Sequence, residues 1–157
     1  MDAAASAHQA LDEGILAHDE GRYQDALAAF EKSAALQPSA RALNNAGMAL
    51  LALRRRDEAE DAFERALRLD PTQVAVAVNL GAYYVQRGRA REAMRLWTDA
   101  LSRNPALTSV RINLAVAYYQ AGDPAAAEAS ALKALDYDPD QETARKLLSE
   151  IRASRVP

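Results

Sequence analysis

The sequence predicts an all-α chain: a solenoid of four similar two-helix units followed by one further helix. Three series predict it. Prolines stand at Pro38, Pro71, Pro105 and Pro139, with gaps of 33, 34 and 34 residues. Small residues stand in the same phase at Gly14, Gly47, Gly81 and Ala115. In a third series an alanine precedes an aromatic by four positions, Ala26 and Phe30, Ala59 and Phe63, Ala93 and Trp97, and Ala127 and Ala131 continue the spacing without the aromatic. Self-similarity at a fixed period marks a repeat architecture, in which each unit buries its apolar face on its neighbours.

Each unit reads as two helices with a break between them. The break falls at Gly21, Gly88 and Gly122, where glycine permits the positive φ of a helix end, and at Arg54 in the second unit. The proline ends the second helix, because it cannot continue one. Ser39, Thr72 and Asp140 follow the prolines and are the expected N-caps of the next helices. Small residues in the first helix admit the second, and the aromatic fills the gap. Ser33, Ala66, Ala100 and Ala134 continue the small series. With Ala131 in place of an aromatic, the fourth helix pair is expected to pack more loosely. After Pro139, Ala144, Leu147, Leu148 and Ile151 fall at i, i+3, i+4 and i+7, one apolar helical face. No second helix follows, so residues 141–154 read as a cap over the last unit. Nothing similar precedes the first unit. Its own Asp12, Glu13 and Asp19 close that end, or the chain is a piece of a longer polypeptide.

The 157 residues suit a single domain, and a composition that is 50% hydrophobic supports a packed core. The absence of cysteine excludes disulfides and thiolate chemistry. The first residues lack the basic and apolar regions of a signal peptide, and no apolar run reaches membrane-span length, so a cytoplasmic location is expected. Sixteen Arg against three Lys, with abundant Ala, suggests a GC-rich bacterial genome.

The small residues, the aromatic and the terminal proline, in this order within units of about 34 residues, resemble the tetratricopeptide repeat. The resemblance covers residues 7–39, 40–73, 74–107 and 108–141 and implies a right-handed superhelix whose first helices line a concave groove. It departs from the pattern at Glu13, Arg54 and Ala131. It places Asn45, Asn79 and Asn113, a ladder of helix-averse residues 34 apart, in the groove. An amide can pair with a ligand's main chain, or it can bond the neighbouring repeat and fix the stacking; both readings stand. Asn44, Met48, Val78, Ala82, Val85, Ile112, Val116 and Tyr119 share the face, which makes it mostly apolar and suited to a peptide or helix of a partner protein. Self-assembly of the chain, or service as the adaptor of a larger polypeptide, are the alternatives. Tyr84 and Tyr118 match a buried family position. The family's carboxylate clamp is not expected, because its basic positions carry Leu11, Ile15, Ala75 and Asn79, or Asn44, Met48, Ser109 and Asn113 one repeat on; only Asn45 fits.

Arginines gather at two hairpin tips, Arg54, Arg55 and Arg56, then Arg87, Arg89 and Arg91, but acids follow the first group directly. A solvated, self-compensated edge is expected rather than a nucleic-acid site, which would add stacking aromatics. His8 and His18, ~15 Å apart along one helix by its rise per residue, cannot share a metal. With no phosphate loop, metal cluster or nucleophile–base pair, neither catalysis, metal nor cofactor is expected.

Overall fold

The structure, a computed structural model, describes residues 2–154. Among them are nine helices and no strand: α1 (Ala3–Asp19), α2 (Tyr23–Leu36), α3 (Ala40–Ala52), α4 (Arg56–Leu69), α5 (Val74–Gln86), α6 (Ala90–Arg103), α7 (Thr108–Gln120), α8 (Pro124–Tyr137) and α9 (Glu142–Ala153). They group into two compact units, residues 1–80 and 81–157, with the division inside α5. In the first unit α1 packs on α2, α2 on α3 and α3 on α4; in the second α6 packs on α7, α7 on α8, and α9 covers both α7 and α8.

All four hairpins close by one device. Gly21, Arg54, Gly88 and Gly122 adopt φ of +75°, +60°, +73° and +80°. The next backbone N–H then reaches back five residues, as from Arg22 to the Ala17 carbonyl (2.8 Å) and from Arg55 to that of Leu50 (2.9 Å). The N–H of the left-handed residue itself bonds three residues back. This pair of bonds is the Schellman closure, which satisfies carbonyls the helix end leaves open. Arg54 makes it without glycine and carries the steric cost of a Cβ in the left-handed region. Arg54→Gly is therefore expected to stabilise the protein by about 1 kcal/mol, the relieved strain exceeding the added freedom of the unfolded chain. A urea melt checks it; an unchanged or lower midpoint would contradict the strain.

The entries to the helices correct part of the sequence reading. Ser39 is the N-cap of α3, its hydroxyl accepting from the Ala42 N–H at 3.1 Å. Thr72 and Asp140 are not caps. In the second and later repeats the chain first makes a turn on the residue before the proline: Asp70 accepts from the Thr72 N–H (3.0 Å), Asn104 from that of Ala106 (3.1 Å) and Asp138 from that of Asp140 (3.3 Å). Such Asx turns offer the backbone a local alternative to helix, so α9 begins later, with Gln141 as its cap. The Thr72 hydroxyl and the Gln73 amide also donate to Asp70 and hold its carboxyl below the usual range.

The core follows the small–aromatic pairing. Phe30, Phe63 and Trp97 are buried, each packed against a glycine. A Cβ on Gly14 would stand 2.5 Å from the Phe30 ring and one on Gly47 2.6 Å from Phe63; one on Gly81 would meet Trp97 closer still. Ser33, the polar member of its series, is buried and donates its hydroxyl to the Ala7 carbonyl at 2.8 Å, tying α2 to α1.

The fourth pair closes without an aromatic, and Ala115 and Ala131 are both fully buried. With no ring between them the helices need no glycine, and the remaining apolar surface is covered by α9. Its Leu147, Leu148 and Ile151 close over Ala115, Ala127 and Ala131, while Ala144 joins Ile112 and Ala134. Arg152 of α9 also donates to Glu128 of α8 at 3.1 Å. Among the described residues, no helix is long and apolar enough to cross a membrane.

Candidate functional site

The expected groove residues lie on the first helices of the repeats, α3, α5 and α7. In the first unit, Asn45 and Met48 of α3 come together with Ile15, His18 and Asp19 of α1 and with Phe30 around a cavity of about 180 Å³. Phe30 forms the floor, held there by Gly14 beneath its ring. Ile15 and Met48 are half-buried and supply apolar walls, one stiff and β-branched, the other flexible. His18 packs edge-on against Tyr23, ring centroids 5.2 Å apart, which fixes the imidazole at the cavity's rim. Asp19, exposed beside it, adds a negative charge. Sequence periodicity picked out Asn45 and Met48 but not Ile15, His18 or Asp19. The signal was present in register: Ile15 and His18 stand 33 and 30 residues before Met48 on the equivalent face of the preceding first helix.

Asn79 resolves differently from a simple ladder. Its Nδ2 donates to Oδ1 of Asn44 at 2.9 Å. Asn44 is buried, with 8% of its surface exposed, so the bond satisfies the acceptor of a largely buried amide. The Asn79 amide oxygen is left over, at a half-buried position. The amide thus joins repeat to repeat while keeping one acceptor for something else. Asn79→Ala should then cost about 1–2 kcal/mol, because it strands the Asn44 carbonyl, whereas Asn45→Ala should be near neutral. Thermal unfolding of both variants checks this; equal melting points would show that the bond contributes nothing.

Among the other expected groove residues of the first unit, Val78 is half-buried. In the second unit Ala82 is exposed and Val85 and Asn113 are half-buried, whereas Ile112 is buried among Ala134 and Ala144 and faces the core. Val116 and Tyr119 are half-buried, each with part of its surface packed on the cluster under α9. Asn44 and Ile112 therefore support the face from behind rather than line it. Tyr84 is buried as its family position implies, and so is Tyr83; Tyr118 is only half-buried.

The arginine tips have a local chemistry. Arg55 grips Glu58 through two bonds (2.7 and 2.6 Å), and Arg89 grips Glu92 likewise (2.6 and 2.7 Å) while stacking over the Tyr84 ring at 4.2 Å. Arg22 does the same with Asp25 and Glu20. These guanidiniums hold the Glu58 and Glu92 carboxyls below their usual range. In the fourth repeat Asp123 takes the arginine's place and caps the Ala126 N–H directly (3.0 Å). The series at 22, 55, 89 and 123 is thus a helix-entry device. Among the described residues, no group of three His, Asp or Glu side chains is placed to hold a metal ion.

Helix hairpins of constant length, each closed at one left-handed residue and packed through one small–aromatic pair, define a helical-repeat protein. Sequence profiles described as tetratricopeptide repeat match residues 11–74 and 84–151. The chain belongs to the tetratricopeptide repeat family. Over 82 residues it is 33% identical to the photosystem I assembly protein Ycf3 of Prochlorococcus marinus, a stretch covering 50% of this chain and 47% of the relative, about half its length. Among solved structures it is similar to PilF of Pseudomonas aeruginosa, with a TM-score of 0.86 and 19% identity over 98% of this chain and 71% of that one. It is also similar to YrrB, a tetratricopeptide protein with an unusual peptide-binding site, with a TM-score of 0.71 and 22% identity over 93% and 76% of the two chains. Both likenesses establish the solenoid fold.

Proposed function

We propose that residues 1–157 act as one non-catalytic protein-interaction domain that holds a segment of a partner protein against the first-helix face. The observation that carries this reading is the cavity of about 180 Å³ in which apolar Ile15, Phe30 and Met48 meet the amide of Asn45. A small apolar pocket beside a group that both donates and accepts suits a segment seated through one apolar side chain, with its main chain on the amide. By register, Asn79 with its leftover acceptor in the first unit and Asn113 in the second are the corresponding amides on their own first helices. Val78 in the first unit, and Ala82, Val85, Val116 and Tyr119 in the second, are the apolar candidates of the same register. Similar proteins support the same reading: YrrB carries a peptide-binding site, and the Prochlorococcus relative is an assembly protein.

A photo-crosslinking residue at position 48, expressed in the native cell, tests it. A defined partner segment is expected to crosslink there. Synthesised as a peptide, that segment should bind the wild type, bind Asn45→Ala about three- to tenfold more weakly, since a net hydrogen bond is worth about 0.5–1.5 kcal/mol, and fail to bind Met48→Glu. No crosslinked partner, or equal affinity for Met48→Glu, would contradict the reading.

A further inference from the structure

A second apolar groove lies in the first unit, formed by α2, α3 and α4, with a volume of about 560 Å³. Leu43, Ala46 and Leu50 of α3 form its floor, and Ala34, Ala35 and Ala62 line its sides. The space exists because these walls are alanine. Side chains this small let the backbone of an incoming helix approach closely, as ridge-into-groove packing requires. The part of α4 that borders it runs from Asp57 to Arg65, ~12 Å of helix by rise per residue, enough to seat about two turns of a partner helix.

The rim is acidic. Glu31 stands on the α2 side, and Asp57, Glu58 and Asp61 on the α4 side, against one cation, Arg65. Glu58 is engaged by Arg55, and Asp61 lies 3.5 Å from Arg65. Glu31 and Asp57, on opposite walls, make no direct ion pair among the described residues, although the Arg55 charge that engages Glu58 also acts on Glu31 at longer range. The full acidic set is not repeated. The equivalent positions one repeat on carry Glu64, Glu92 and Asp99 but also Arg91 and Arg95, and two repeats on they carry Thr98, Leu101, Tyr118, Ala125 and Lys133 and no carboxylate. There Leu101 is itself buried, where the first unit has Ala34 and open space.

We infer that this groove is a second interaction surface, independent of the first-helix face, and that its occupant is a basic amphipathic helix of a partner protein. Its apolar stripe lies on Leu43, Ala46 and Leu50, and its lysines or arginines reach Glu31 on one wall and Asp57 and Asp61 on the other. Charge complementarity chooses this occupant: an acidic or neutral helix would leave carboxylates facing it without a counter-charge.

Fluorescence polarisation with two labelled, end-capped 18-residue helices tests this. Both carry a leucine–alanine stripe; one has lysine and the other glutamate on its flanks. The lysine helix is expected to bind at least tenfold more tightly than the glutamate helix, and to weaken as salt rises from 50 to ~300 mM, because the contacts are exposed. Asp57→Lys combined with Asp61→Lys should weaken it at least tenfold. Ala35→Phe, at an exposed wall position, should weaken it similarly without changing any charge. Met48→Glu, in the other cavity, should leave it within twofold. Circular dichroism confirms that each variant is folded. Equal binding of the two helices, no measurable binding of the lysine helix, or loss caused by Met48→Glu rather than by the groove variants would each overturn the assignment. So would sedimentation showing that the aspartate reversals abolish a dimer of the chain, since the groove would then hold a second copy.

Discussion

Phe63→Ala is expected to destabilise the protein by about 3–5 kcal/mol, the range for deleting a fully buried aromatic and leaving a cavity. Phe63 has no exposed surface and lies against the bare backbone of Gly47. Gly47→Ala should also destabilise, by about 1–3 kcal/mol, because the new methyl would enter the ring. The informative variant carries both changes. Alanine at both positions is what the fourth repeat has at 115 and 131, where the two helices meet without a ring. The methyl that clashes with phenylalanine partly fills the space it leaves, and the stronger helix propensity of alanine adds to this. The double variant should therefore be more stable than the sum of the single changes implies, by more than ~1 kcal/mol. Additivity within about 0.5 kcal/mol, the behaviour of independent sites, would mean that ring and glycine are not coupled.

Removing residues 141–157 is expected to be as severe. α9 contributes Leu147, Leu148 and Ile151, each worth about 1.5–3 kcal/mol when fully buried. Without it Ala115, Ala127, Ala131 and Ile112 would face water in one patch, the kind of surface that drives association. The truncated chain should self-associate in sedimentation velocity and unfold in a broadened transition. Ile151→Asp, a single change at a position with no exposed surface, should reproduce the loss in milder form. A monomeric truncation with an unchanged melt would show that the helix covers nothing of consequence.

The fold was legible because its determinants are periodic. Pro71, Gly81 and Trp97 identify themselves by recurring, and Leu147, Leu148 and Ile151 by helical spacing alone. Thr72 and Asp140 were misread as caps because cap chemistry and Asx-turn chemistry use the same short polar residues; the acid two positions earlier takes the backbone bond first. Asn79 was legible as an anomaly, but its partner was not. The ladder pairs it with Asn45, 34 residues back, whereas the packed helices bring it to Asn44, 35 back. The corresponding residue one repeat on is Val78, which has no acceptor, so the tie does not recur as its donor does. The alanine-walled groove left no sequence signal, because empty space appears only when three helices are assembled.

The order of the contacts within each unit bears on how the chain folds. Among the described residues of each unit, the helix contacts join a helix to the next or to the next but one. Each contact therefore closes a short loop, for which the entropic cost is small, and low contact order of this kind goes with fast folding. Synthesis from the N-terminus would present α1 to α2 and then α3 to both as each emerges, so burial can keep pace with elongation. In the second unit the surface of α7 and α8 stays uncovered until α9 has emerged. Until then the nascent protein exposes its alanine-rich flank, and that interval, rather than the folding of any earlier hairpin, is when it is most open to aggregation and to capture by chaperones.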